Sequence, residues 1–299
     1  MWVIILGGND RRQHNNMKKA IILFLFLVTA NTALWANSPD YWRSDSVKVT
    51  RLLAKAARLG KGSNYMTWFA RQLCGLPYVA KTLEKNANER LVVNLRQMDC
   101  TTYVETVLAL TRCAKQRKRG FADFCHNLRL IRYRGGKVGY PDRLHYFTYW
   151  IRDNERMGLV SDVQGPVPPF TAVQTVRANY MTTHTYIYPM LKRHPEWVDE
   201  VRRMEDSITG HRYRYIPKNR LANSKLLRQT IHDGDIIVIL TSKKGLDTSH
   251  IGIAAWHADG LHMLNASSVH HKVVEEPMLL STYMARHPSQ IGIRVVRPR

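Results

Sequence analysis

Apolar positions recur at helical spacing through residues 45–59, DSVKVTRLLAKAARL, and the pattern stops before Gly60, which predicts a helix. Residues 63–74 predict a second helix, LPYVAKTLE reads as extended chain, and ERLVVNL as a strand leading into Cys100. From Cys100 to about Arg112 the spacing is helical again, with Tyr103, Val104, Val107 and Leu108 on one buried face. Another helix covers Phe121 to Leu130. The run YRGGKVGYPDRLHYFTYW (133–150) combines Gly-rich turns with dense aromatics, and QGPVPPF (164–170) reads as a proline-rich loop. Residues 185–208 are helical in part, with Pro195 near a helix start. The last third changes to short apolar runs: Asp235–Leu240 after the turn HDGD, then His250–Ala255, His262–Leu264 and Gly292–Val296. Helices first and strands later predict an α+β fold rather than a doubly wound parallel sheet.

A chain of 299 residues accommodates one large domain or two small ones. With no internal repeat and no long Ser/Gly linker, the expectation is a single domain over 37–299. Residues 17–36, MKKAIILFLFLVTANTALWA, have the plan of a secretory leader. Lys18 and Lys19 form its basic start, Ala20–Val28 its apolar core and Ala33–Ala36 its small-residue exit. That core is too short to span a bilayer comfortably, so no membrane insertion is expected once it is removed. Met17 suits a start better than Met1, since residues 1–16 match no part of a leader and read as a mis-assigned extension. The expected location is therefore outside the cytoplasm, in a bacterial periplasm.

The formal charge is +22, and removing residues 1–36 leaves +19 by the same count. Such a surface attracts anionic ligands, or is simply solvated. Arg112, Lys115, Arg117, Lys118 and Arg119 look like an exposed helix end. No nucleic-acid-binding module accompanies the charge, so nucleic acid is not an expected partner. Export also changes the reading of the cysteines. Cys74, Cys100, Cys113 and Cys125 allow two bridges, whereas a free Cys100 leaves an odd number. Cys113 and Cys125 are near enough in sequence to pair, but spacing alone does not decide it. With neither CxxC nor HExxH present, neither a metal nor another cofactor is expected.

The segment MDCTTYVETVL (98–108) places Cys100 at the mouth of a predicted helix, where unpaired N–H groups and the dipole favour a thiolate. The competing reading is an inert core thiol. Asp99 fits an N-cap or a contact to a ligand amine, and Thr101 and Thr102 keep the helix entrance polar. Among thirteen histidines, His250 stands out because it begins HIGIAA after the loop KKGLDTS, where a strand end faces a cleft. Asn265 in HMLNASS lies on the next predicted strand and suits the group that fixes an imidazole's tautomer; Ser267 and Asp247 are weaker choices. The Cys100 backbone N–H suits part of an oxyanion hole. Tyr140, His145, Tyr146, Phe147, Tyr149 and Trp150 either wall a sugar or peptide cleft or form ordinary core. Arg143 either holds a ligand carboxylate or sits on the surface.

The segments LPYVAKTLE, ERLVVNLRQMDCTTYVET, YRGGKVGYPDRLHYFTYWI and GLDTSHIGIA, followed by LNASS, resemble the N-acetylmuramoyl-L-alanine amidase-like family, within the NlpC-type, papain-like superfamily of cell-wall cysteine hydrolases. The resemblance spans about residues 45–298, with the motifs in the family's order. It implies a papain-like core, a nucleophile at Cys100, a base at His250 and a third polar position at Asn265, often His in the wider superfamily. The implied reaction is hydrolysis of the muramoyl–L-alanine amide in peptidoglycan fragments (muropeptides). Asp99, Thr101, Arg143, His145, Tyr146 and Ser249 become candidate substrate contacts. Asp99 also fits relatives that cut between D-glutamate and the diamino acid, so the scissile bond stays open. The family tends to carry an acidic residue where this chain has Tyr149.

Overall fold

The computed structural model describes residues 38–299; the expected extension and the leader lie outside the described residues. Asp40–Arg299 forms one compact unit. Its first part contains β1 (Asp40–Tyr41), α1 (Arg43–Ala56), α2 (Tyr65–Gln72), β2 (Val92–Val93), α3 (Cys100–Lys115) and α4 (Phe121–Arg132). The middle holds α5 (Phe147–Arg156), β3 (Val160–Val163), β4 (Ala172–Thr175), α6 (Tyr180–Thr183), α7 (Pro189–Arg193), α8 (Val198–Ile208), β5 (Arg212–Pro217) and α9 (Lys225–Thr230). The last part is β6 (Ile236–Thr241), β7 (Thr248–Trp256), β8 (Leu261–Ser267), β9 (Lys272–Glu275), α10 (Leu280–Ala285) and β10 (Gln290–Pro298). This is a mixed α+β fold around an eight-stranded antiparallel sheet, ordered β4-β5-β10-β6-β7-β8-β9 with β3 on β10.

Strand β6 reads IIVILT and is buried at every position. Ile236, Val238 and Leu240 enter a core shared with the helices, while Ile237 and Ile239 enter a second core with Phe170, Leu280 and Met284. An unbroken apolar run is what a strand covered on both faces requires. Helix α3 departs from its expected single buried face: every residue from Thr102 to Thr111 is buried. It packs against α2 and α4 on its flanks and against β7 and β8. A helix enclosed on all sides shows no polar stripe.

Two expectations fail locally. ERLVVNL yields only the two-residue β2, paired in parallel with β1, because the segment is pinned elsewhere by side chains. The Asp45 carboxylate accepts from Leu95 N–H at 2.9 Å and from Trp42 N–H at 2.9 Å, tying this stretch to the start of α1. The aromatic run read as turns instead forms α5 at its end, whose N-terminal Thr148 N–H donates to buried Asp247 at 2.6 Å. Both anchors come from residues far away in sequence, so neither shows in the local pattern.

Candidate active site

The path to Cys100 is fixed on both sides. Met98 N–H donates to Pro77 C=O at 3.0 Å, and Val79 N–H donates to Met98 C=O at 3.0 Å, so the extended LPYV segment holds the residue two before the thiol. Asp99 is the N-cap of α3: Thr102 N–H donates to Asp99 Oδ1 at 2.8 Å, and the Asp99 N–H donates to Thr102 Oγ1 at 3.0 Å. This reciprocal pair satisfies donors that a helix start otherwise strands. Cys100 follows as the first helical residue, half-buried, with its own backbone N–H lacking any acceptor within the helix.

His250 sits at the cleft end of β7. There the pairing with β6 passes from Ile239↔His250 to Leu240↔Thr248, so Ser249 is an extra, bulged residue. A bulge of this kind re-aims the neighbouring side chain. Asn265, fully buried on β8, places Oδ1 3.0 Å from His250 Nε2 and donates from Nδ2 to Met263 C=O at 3.4 Å. Because the amide oxygen only accepts, Nε2 carries the proton and Nδ1 is left as the basic nitrogen. Cys100, Thr101, His145, Tyr146, Ser249 and His250 line one cleft of about 180 Å³.

The electrostatics differ from the sequence expectation for the thiol. Burial, reinforced by the Asp99 carboxylate, pushes Cys100 up to about 12, although hydrogen bonds from the Ile251 backbone N–H and from Thr101 oppose this. Burial likewise lowers His250, with Asn265 opposing it. Burial thus favours the protonated thiol and the neutral form of the imidazole alike. The helix dipole is outweighed because desolvation acts on the charged form alone.

The remaining sequence candidates separate. Asp247 is spent on the start of α5, and Ser267 Oγ accepts from His270 N–H at 3.1 Å within a turn, so neither meets the imidazole. Arg143 is buried, not a surface residue; its guanidinium bridges Glu84 at 2.8 Å and Glu89 at 3.1 Å, and a ligand carboxylate would compete with both. His145 Nε2 donates to Tyr140 C=O at 2.8 Å, and burial with the Arg143 charge lowers it to about 3, so it is neutral. The Tyr146 hydroxyl is committed to Glu205 at 2.7 Å, leaving its ring for the cleft. Tyr140 and Trp150 are core, and Tyr149 lines a separate hollow with Arg134 and Glu200. All four described cysteines are free, so Cys113 and Cys125 do not pair; Cys113 accepts instead from Asn127 Nδ2 at 3.3 Å.

Three contributors escaped the sequence reading. Tyr78 is pushed up to about 12 by burial, with Cys100 and Asp99 adding to it, which places its hydroxyl within their field. Met181 and Tyr188 reach the cleft from the chain between β4 and β5. A second cavity of about 200 Å³, lined by Asp99, Thr102, Arg132 and Arg143, shares Thr101, Leu144, His145 and Tyr188 with the cleft and extends it. Tyr188 carries no sequence signal of this, since the groove exists only once the segments meet.

Residues 68–293 match the family model for N-acetylmuramoyl-L-alanine amidase-like proteins. No protein of curated function matches the chain. Among solved structures, an N-acetylmuramoyl-L-alanine amidase from Bacteroides uniformis is 38% identical, with TM-score 0.74, over 80% of this chain and 100% of that one. A candidate xylanase from Bacteroides fragilis is 39% identical, with TM-score 0.71, over 76% of this chain and 98% of that one. A Legionella pneumophila protein, 22% identical with TM-score 0.65 over 85% of this chain and 94% of that one, shares the fold. With three quarters of its length under that model and close structural relatives beside it, the chain belongs to the N-acetylmuramoyl-L-alanine amidase-like family.

Proposed function

We propose that this protein is an exported cysteine amidase with an NlpC-type, papain-like site, cleaving the muramoyl–L-alanine bond of muropeptides through Cys100, His250 and Asn265. The observation that carries the reading is the juxtaposition of a helix-head thiol and a strand-borne imidazole on one cleft, with Asn265 Oδ1 3.0 Å from the far ring nitrogen. Among the residues lining that cleft, Asp247 is the one carboxylate, and it is already bonded to Thr148. A glycosidase needs two carboxyl groups free to flank the bond; in the adjoining cavity Asp99 caps α3 while Glu84 and Glu105 are paired with arginines, so the lining favours amide over glycoside cleavage.

Since burial favours the neutral form of both groups, His250 acts as a general base at the moment of attack. Nδ1 takes the thiol proton as Sγ bonds to the lactyl carbonyl carbon, and the C=O electron pair moves onto oxygen. Backbone N–H groups at the head of α3 face that charge; one such donor contributes about 3 kcal/mol in enzymes where it has been removed. The imidazolium then protonates the L-alanine nitrogen as the C–N bond breaks, leaving a thioester. Water, giving its proton to Nδ1, attacks the thioester and expels the thiolate, which recovers the proton.

The second reading moves the cut to the γ-D-glutamyl–diamino acid bond. It draws on Asp99, which lines the adjoining cavity and uses Oδ1 for the helix cap. Mass analysis of products from a defined muropeptide mixture separates the two, because intact stem peptide is released by the amidase alone. Cys100→Ala is the control: loss of products with retained binding supports the thiol mechanism. Undiminished turnover in that variant overturns it, and a wild type that binds without turnover makes the protein a non-catalytic binder.

A further inference from the structure

We propose that the hairpin joining β7 to β8 is a binding site for a divalent transition metal of the zinc class, held by His257, Asp259 and His262. One ligand atom from each of the three lies within 4.8 Å of the others, and the two imidazole centroids are 4.4 Å apart. No HExxH or CxxC spacing marks this WHADGLHM segment in the sequence. The turn brings the three together.

His262 supplies the decisive detail. It is buried, and its Nδ1–H donates to Glu276 C=O at 2.9 Å, the second contact typical of a metal-binding histidine. That bond leaves Nε2 with its lone pair facing Asp259, whose two oxygens lie 3.0 and 3.2 Å away. A lone pair directed at a carboxylate is repulsive unless a proton or a cation lies between them. His257 repeats the pattern. Its Nε2 is 2.8 Å from Glu275 Oε1, and that carboxylate is gripped by Arg71 at 3.0 and 2.7 Å, leaving Nδ1 as the ring's donor atom.

The hairpin backbone is fixed in advance. His257 N–H donates to Gly260 C=O at 2.8 Å, Arg228 donates to His257 C=O at 2.9 Å, and Asn223 donates to Asp259 C=O at 3.1 Å. Two imidazoles with one carboxylate select zinc, nickel or copper over magnesium or calcium, which take mainly oxygen. Six strand residues lie between His250 and His257, a span of roughly 23 Å in β structure, so this site is distinct from the cleft. A bound ion would clamp the outer end of the two strands that carry His250 and Asn265.

The test is calorimetric titration of the chelator-stripped protein with zinc chloride, with magnesium chloride as the control, and thermal melts alongside. The expected result is one zinc per chain, no magnesium binding, and a melting temperature raised by zinc. His257→Ala and Asp259→Asn, both at exposed positions, are each expected to weaken zinc binding tenfold or more and to abolish the thermal shift. Cys100→Ala and Cys74→Ser should retain the full zinc equivalent. The proposal is overturned by absence of zinc binding, by unchanged binding in both hairpin variants, or by binding that follows either cysteine.

Discussion

Asn265→Ala tests the site at the point where its geometry is most explicit. The substitution removes the acceptor 3.0 Å from His250 Nε2 in a fully buried position. Two losses follow: the Nε2–H is left without a partner, and the ring is free to take the other tautomer, which puts the proton on the nitrogen that must accept one. Stranding a buried donor costs about 1–3 kcal/mol, equivalent to roughly 5- to 150-fold in rate where the bond persists in the transition state. The structure argues for the upper part of that range, because Nε2 becomes more positive as the imidazolium forms and its bond to Oδ1 strengthens. The assay is kcat/KM on a defined muropeptide, with urea melts to remove any contribution from unfolding. Asn265→Asp retains an acceptor and, by adding a negative charge, raises His250, so its acid limb should move to higher pH while much activity survives. Wild-type kcat/KM in Asn265→Ala, with the melt unchanged, would refute the assignment of Asn265 to the triad.

Further outcomes follow from the same geometry. Since burial holds Cys100 up near 12, its alkylation by iodoacetamide should keep rising between pH 7 and 10, and a plateau above pH 6 would show a preformed thiolate instead. His145 is lowered from 6.5 to about 3 by burial and Arg143, so it favours the fold above pH 6.5, and that contribution is lost as pH falls toward 3. His145→Gln, which keeps a donor for Tyr140 C=O, should therefore move the acid-unfolding midpoint to lower pH; an unmoved midpoint counts against it. Arg132→Met leaves Glu105, now 2.6 Å from the guanidinium, without its partner in the core at a cost of about 3–5 kcal/mol, read by urea denaturation. Pairing it with Glu105→Leu should recover much of that loss. If the basic surface steers anionic stem peptides, kcat/KM should fall as ionic strength rises, and a flat response removes steering from the account.

Much of this molecule was readable along the chain, for identifiable reasons. The helix at residues 43–56 announces itself because it buries one contiguous face, which periodicity records directly, while the helix from Cys100 and β6 do so through apolar runs buried throughout. The pairing of His250 with Asn265 was legible too, since a tight turn between two short strands puts neighbours side by side. The folded structure alone decided which way polar side chains are spent. Asp247 starts a helix 99 residues upstream, Arg143 is consumed by Glu84 and Glu89, and Asp45 reaches Leu95. It also decided the charge of the thiol: a helix head is local and favours the anion, but desolvation depends on everything packed around it, and here it prevails. Sequence specifies which groups are available and how each segment folds; partners distant along the chain, and the water they exclude, exist only after collapse and set what those groups do.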